Sequence, residues 1–157
     1  MSKCLKITKE NTREDGYRTR IYAGEVDLTA QFEGSIEIDE GLGWVRFEKH
    51  LSATGYIWAE AGTGIEAGEG IEAGEGIKAG WGIEAGEGIK AGLWVKCKKV
   101  LSFKFRLFAG TAVWKKTVTY DEQLVECGEI QGGTVVTGVV RELGIAEDVS
   151  AETEAAK

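Results

Sequence analysis

Between residues 65 and 113 an aliphatic side chain returns at every sixth position: Ile65, Ile71, Ile77, Ile83, Ile89, Val95, Leu101, Leu107 and Val113. A second series follows two residues behind it: Ala67, Ala73, Ala79, Ala85, Ala91, Cys97, Phe103 and Ala109. Charged residues stand between the two series at Glu66, Glu72, Lys78, Glu84, Lys90 and Lys96. A period of six does not follow one side of a helix, because six steps of ~100° rotate the chain by ~600°. The glycines around each unit would also cost about 1 kcal/mol apiece inside a helix. Six is a multiple of the strand period of two, so the aliphatic and small residues share one side and the charged residue takes the other. The pattern predicts three-residue strands joined by Gly-x-Gly corners at 68–70, 74–76, 80–82 and 86–88, with these glycines at positive φ. Stacked units of this kind make a β-solenoid.

The expected fold is therefore all-β: a β-solenoid of hexads with flanking β-strands and a short disordered or helical C-terminal tail. One domain spans 1–157. It divides into an N-terminal β region (1–59), a solenoid core (60–130), and terminal strands with an acidic tail (131–157). The module aliphatic-x-small-Gly recurs outside the clean block at Ile21–Gly24, Leu107–Gly110 and Val125–Gly128. Alternation and Gly punctuation predict that residues 17–59 are strands, in YRTRIYAG, EVDLTAQFEG, SIEIDEG, WVRFEKHL and ATGYIWAEAG. Further strands are expected in AVWKKTVTY and GGTVVTGVV. In 100–108 simple alternation points Leu101, Phe103, Phe105 and Leu107 inward and Lys104 and Arg106 outward. The 18-residue spacing of Ile71, Ile89, Leu107 and Val125 favours three hexads per turn. Glu66 would then stack near Glu84, Glu72 near Lys90, and Lys78 near Lys96. A two-hexad turn would stack Glu66, Lys78 and Lys90 instead.

Gly accounts for 23 of 157 residues, about twice the usual share, and Pro is absent. The net charge is −7, which disfavours a general binder of nucleic acid or membrane surfaces. The charge is banded: net −2 over 1–59, −5 over 60–93, +7 over 94–116 and −7 over 117–157. No apolar run reaches the roughly 20 residues of a spanning helix, and no secretory leader is visible. Cys4, Cys97 and Cys127 are scattered and odd in number, which points to a reducing, cytoplasmic setting rather than a disulfide framework. One His and three separated Cys give no metal-ligand spacing, and no phosphate-loop motif occurs, so no cofactor or metal is expected.

The hexad period resembles the left-handed β-helix of hexapeptide-repeat acyltransferases. That family carries its small residue four positions after the aliphatic one; here it comes two positions after. The fold analogy is kept, and no catalytic residue is carried over, since the one histidine, His50, lies outside the repeat. The acidic repeat is also similar in shape and charge to pentapeptide-repeat proteins that imitate DNA. The phrase GIEAGEGIKAGWGIEAG resembles short Gly-rich hexad-repeat proteins of phages and mobile elements, which implies a setting of phage–host conflict in the host cytoplasm.

Two surfaces stand out as candidate binding residues. One is the carboxylate ladder Glu66, Glu69, Glu72, Glu75, Glu84 and Glu87, with Trp81 in a corner slot that otherwise holds Glu. The other is the basic band of 94–116, led by Lys96, Lys98, Lys104 and Arg106. The first suits a host protein with a basic cleft, as for an anti-CRISPR-like inhibitor. The second is the one stretch suited to nucleic acid, or to the acidic band of another copy in a homo-oligomer. No catalytic residue is expected. A scaffold is the alternative reading, and an acyltransferase-like enzyme a distant third.

Overall fold

The computed structural model describes residues 3–144, and almost all of its regular structure is strand. The acidic tail from 145 onward, expected to be disordered or helical, lies outside the described residues. The strands run in chain order from β1 (Cys4–Ile7), β2 (Thr12–Glu14) and β3 (Thr19–Tyr22) to β4 (Ser35–Ile38), β5 (Gly43–Phe47) and β6 (Leu51–Ala53). Next come β7 (Ile57–Ala59), β8 (Thr63–Ala67), β9 (Ile71–Ala73), β10 (Ile77–Ala79), β11 (Ile83–Ala85) and β12 (Ile89–Ala91). The chain closes with β13 (Val95–Cys97), β14 (Val100–Phe108), β15 (Leu124–Cys127), β16 (Glu129–Thr137) and β17 (Val139–Glu142).

Pairing is parallel apart from the β2–β3 hairpin. The strands form three rows. The first is β1-β4-β7-β10-β13-β15-β17. The second runs β5-β8-β11 and reaches the first half of β14; the third runs β6-β9-β12 and reaches its second half. β14 passes from one row to the next without a break, and β16 lies along it. In the repeat each residue pairs with the one 18 positions on: Ile65 with Ile83 and Ile83 with Leu101, Ile71 with Ile89 and Ile89 with Leu107, Ile77 with Val95. The spacing is 20 from β5, β6 and β7 into the repeat, as in Val45 with Ile65, Leu51 with Ile71 and Ile57 with Ile77. Row pairing therefore continues on both sides of the 60–130 segment.

The two hexad series account for the core. Every Ile from 65 to 89 and every Ala from 67 to 91 is buried, while Glu72, Lys78, Glu84 and Lys90 between them are exposed. The three rows share this one core, with Leu101, Phe103, Leu107, Val125 and Cys127 continuing it. Cys97 and Cys127 take the small-residue position, and all three cysteines are free.

Four expectations need correction. None of the repeat glycines has positive φ; the positive-φ glycines all lie outside 64–92. The corner glycines are required by approach instead. A Cβ on Gly86 would sit 2.1 Å from the Gly68 carbonyl oxygen, and one on Gly92 would sit 1.9 Å from that of Gly74. Phe105 does not point inward but is 56% exposed. It occupies the corner slot of its hexad, where the β14–β16 register shifts between Phe103 and Arg106. EVDLTAQFEG and AVWKKTVTY form no strand beyond an isolated bridge at Phe32. Residues 109–123 form an irregular loop instead, with a short 3-10 turn at Asp121–Gln123. The early module at Ile21–Gly24 also departs from the theme, because Ala23 is exposed.

Candidate functional site: a charged corner between the second and third rows

The corner is made by the Gly-x-Gly units that connect β8 to β9 and β11 to β12. Glu69 and Glu87 sit at its tips, one above the other, held by Glu87 N–H donating to the Glu69 carbonyl at 3.1 Å. The Glu69 N–H in turn donates to the Lys49 carbonyl, also at 3.1 Å. Above them Lys104 and Phe105 both donate backbone N–H groups to the Glu87 carbonyl, at 2.9 and 3.0 Å. Main-chain bonds therefore fix the vertical order: Lys49, then Glu69, then Glu87, then Lys104 and Phe105. The side chains bound a groove of about 1050 Å³ lined by His50, Glu69, Glu72, Glu87, Lys90, Lys104, Phe105 and Arg106.

Two side-chain pairs in the groove are loosely held. His50 Nδ1 lies 3.4 Å from Glu69 Oε1, and Lys90 Nζ lies 3.9 Å from Glu72 Oε2, all four side chains being about half exposed. Exposed pairs of this kind contribute little, about 0–1 kcal/mol. On the adjoining second row Glu66 pairs with Glu84 in register. Partial burial and then the Glu84 carboxylate push the Glu66 carboxyl above the usual carboxylate range, and Arg46 opposes the shift. Arg46 precedes Glu66 in the same row and also lies 3.8 Å from Asp15.

The structure brings Glu66, Glu69, Glu72, Glu84 and Glu87 around this one corner, but it does not make the six carboxylates a single flat face. Glu75 lies at the next corner, bonded through its backbone to Gly55 and Leu93. The reason is the hexad itself: three residues carry the chain from the middle of a strand to a corner. The basic residues are likewise spread around the stack at one level. Lys96 is in the first row beside Lys78, Lys98 is at the corner above Trp81, and Lys104 and Arg106 are at the groove. Trp81 packs on Trp44, ring centroids 6.1 Å apart, and Trp44 also covers Gly64 and Gly82. It folds over the N-terminal strands rather than standing free.

Arg46, Lys90, His50 and Phe105 are the groove or ladder residues that sequence reasoning did not assign to a site. Lys90 is signalled only as the partner of Glu72 at the 18-residue spacing, and His50 carries no repeat signal. Arg46 becomes visible only with the 20-residue spacing that places it beside Glu66. The buried thiols offer no chemistry at neutral pH: burial pushes Cys97 up to about 12 and Cys127 to about 11. Among the described residues no cluster of three or more His, Cys, Asp or Glu is placed to hold a metal ion, and no helix is long and apolar enough to cross a membrane. Comparison with protein-family models, with curated proteins and with solved structures found no match to this chain.

Proposed function

We propose that the chain is a β-solenoid with three hexads per turn that acts without catalysis, presenting the stacked carboxylates of this corner, Glu66, Glu84, Glu69 and Glu87, to a basic cleft on another protein. The observation that carries this reading is the in-register stacking of Glu66 on Glu84, next to Glu69 and Glu87. Like charges opposite one another on neighbouring strands destabilise a sheet, and here Arg46 is the cation that offsets them. A surface that retains such repulsion gains when a cationic partner supplies the missing charge. The 18-residue registers support the winding. The resemblance of the repeat phrase to phage and mobile-element proteins supports a host nucleic-acid-binding or defence protein as the partner, as for an anti-CRISPR-like inhibitor in the host cytoplasm.

The test is capture of partners from host lysate, with the Glu66→Lys/Glu84→Lys variant as control. The reading predicts a partner that binds the native chain, is lost from the variant, and dissociates as salt rises, since exposed charges are screened beyond about 10 Å at 0.1 M. Binding that survives both charge reversal and added salt would overturn it.

A further inference from the structure

Among the described residues the two ends of the stacked core differ in how well they are covered. At the N-terminal end Ile7 and Ile36 are fully buried, Leu28 is buried in the same core, and Leu5 on β1 is half-buried against it. The β2–β3 hairpin lies outside β5, and Arg20 fastens it. Its Nε donates to Thr12 Oγ1 at 2.8 Å, and one terminal nitrogen donates to the Lys9 and Thr12 carbonyls. Among the described residues the opposite end has no such cover. Along the first row the inward position passes from Val95 and Val125, both 0% exposed, to Val140 at 45%. In the other rows Leu101 and Leu107 are fully buried, whereas their partners Ile130 and Val135 on β16 are only half-buried. Val136 beside them is 49% exposed and Leu143 is 61% exposed. Among the described strands β16 pairs only with β14 and β17 only with β15. Glu142 stands in register with buried Cys127 and accepts the Ile130 N–H at 2.9 Å. The rest of nine-residue β16 remains as an edge, which natural sheets cover, shorten or blunt.

We propose that this end face docks a second copy of the chain, end to end about a two-fold axis, with Ile130, Val135 and Val140 of each copy meeting at the centre. This surface is distinct from the acidic corner. Three features select a second copy. The inward positions already follow the spacing of the stack, so an identical end supplies matching aliphatic rows. The two ends differ, because only the N-terminal end carries the β2–β3 hairpin outside β5, so like ends match each other better than unlike ones and a closed two-fold pair is favoured over a filament. The rim carries both signs, Glu129 and Glu142 with Arg141, so two copies can pair opposite charges there. The sides of the face, about six residues at ~3.3 Å each, are ~20 Å long. A three-sided face of that size covers on the order of 200 Å² per copy, well below the ~800 Å² per partner of a standard interface, so the contact is a weak one and the dimer should dissociate on dilution.

The experiment is sedimentation equilibrium of the full chain across a wide concentration range, beside Val136→Lys, Val140→Lys and a chain ending at Gly144. The proposal predicts a reversible dimer for the full chain and for the shortened chain. Both lysine variants should be monomers with the native circular-dichroism spectrum, because the replaced side chains are already about half exposed. Amide exchange over 129–137 in the native chain should slow as its concentration rises, a readout that needs no variant. A strict monomer at the highest concentration would overturn the proposal. So would a monomer that dimerises only when 145–157 are removed, since the tail would then be the cover. A dimer that persists in both lysine variants would place the contact elsewhere. Glu66→Lys/Glu84→Lys should dimerise normally, so failure of the partner reading and failure of this one remain separable.

Discussion

A single missing Cβ decides how closely the strands of this protein can stack. The corner glycines are conformationally ordinary, yet Gly92 leaves 1.9 Å between the position of a Cβ and the Gly74 carbonyl oxygen. Gly70 leaves 3.3 Å to the nearest atom, the Gly88 carbonyl oxygen. Gly92→Ala is therefore expected to destabilise the fold at or above the upper end of the ~1–3 kcal/mol typical of overpacking. Gly70→Ala should cost clearly less, and chemical denaturation of the two variants measures the difference. Charge gives a second test at this scale. The Glu66 carboxyl ionises at higher pH in the folded chain than in the unfolded one. Its contribution is thus fully present below the ordinary carboxylate range and is lost as pH rises through the folded value. Glu66→Gln should raise stability at pH 7 by about 0.2–1 kcal/mol, as removal of a like-charge cross-strand pair does. The gain should vanish in acid, where Glu66 is already neutral; melting curves at both pH values check the sign.

At the level of the strand, the hexad frame was legible and simple alternation misled. Positions 65 to 109 of both series fall inside as the period requires, and the charged residues between them fall outside. Alternation alone put Phe105 in the core. The frame places it at a corner, since residues 104–106 stand 18 positions after the Gly-x-Gly unit at 86–88. Phe103→Ala should accordingly cost about 3–5 kcal/mol, as loss of a buried ring does. Phe105→Ser should be nearly neutral in thermal unfolding. Equal losses from the two would mean that β14 runs straight through the corner. The 109–123 loop was not legible, because AVWKKTVTY alternates like a strand. Its Val113 is 96% exposed and Trp114 60% exposed, while Lys115 pairs with Glu122 and Thr119 N–H donates to the same carboxylate. Those local bonds fix a loop shape that periodicity does not register. The corner site was half legible. Spacing by 18 brought out Glu66 with Glu84 and Glu72 with Lys90, but Arg46 and His50 enter from β5 and its following segment at a spacing near 20. No repeat marks those positions.

For the molecule as a whole, order along the sequence becomes order along the stack, because each strand in the repeat lies beside the strand 18 residues away. The charge bands therefore become levels: carboxylates at 66–87, cations at 96–106, and mixed charge at the β16–β17 end. Both proposed contacts depend on that stacking, one at its side and one at its end. Disulfide trapping tests it most directly. Glu66→Cys/Glu84→Cys, made with Cys4→Ser, puts two exposed thiols in register on adjacent parallel strands, within the ~4.4–6.8 Å Cα separation that a disulfide tolerates. Glu66→Cys/Lys78→Cys would be the neighbouring pair in a two-hexad winding. The account predicts rapid and complete cross-linking of 66 with 84 and little of 66 with 78. Ready cross-linking of 66 with 78, with 66 and 84 remaining free, would contradict it.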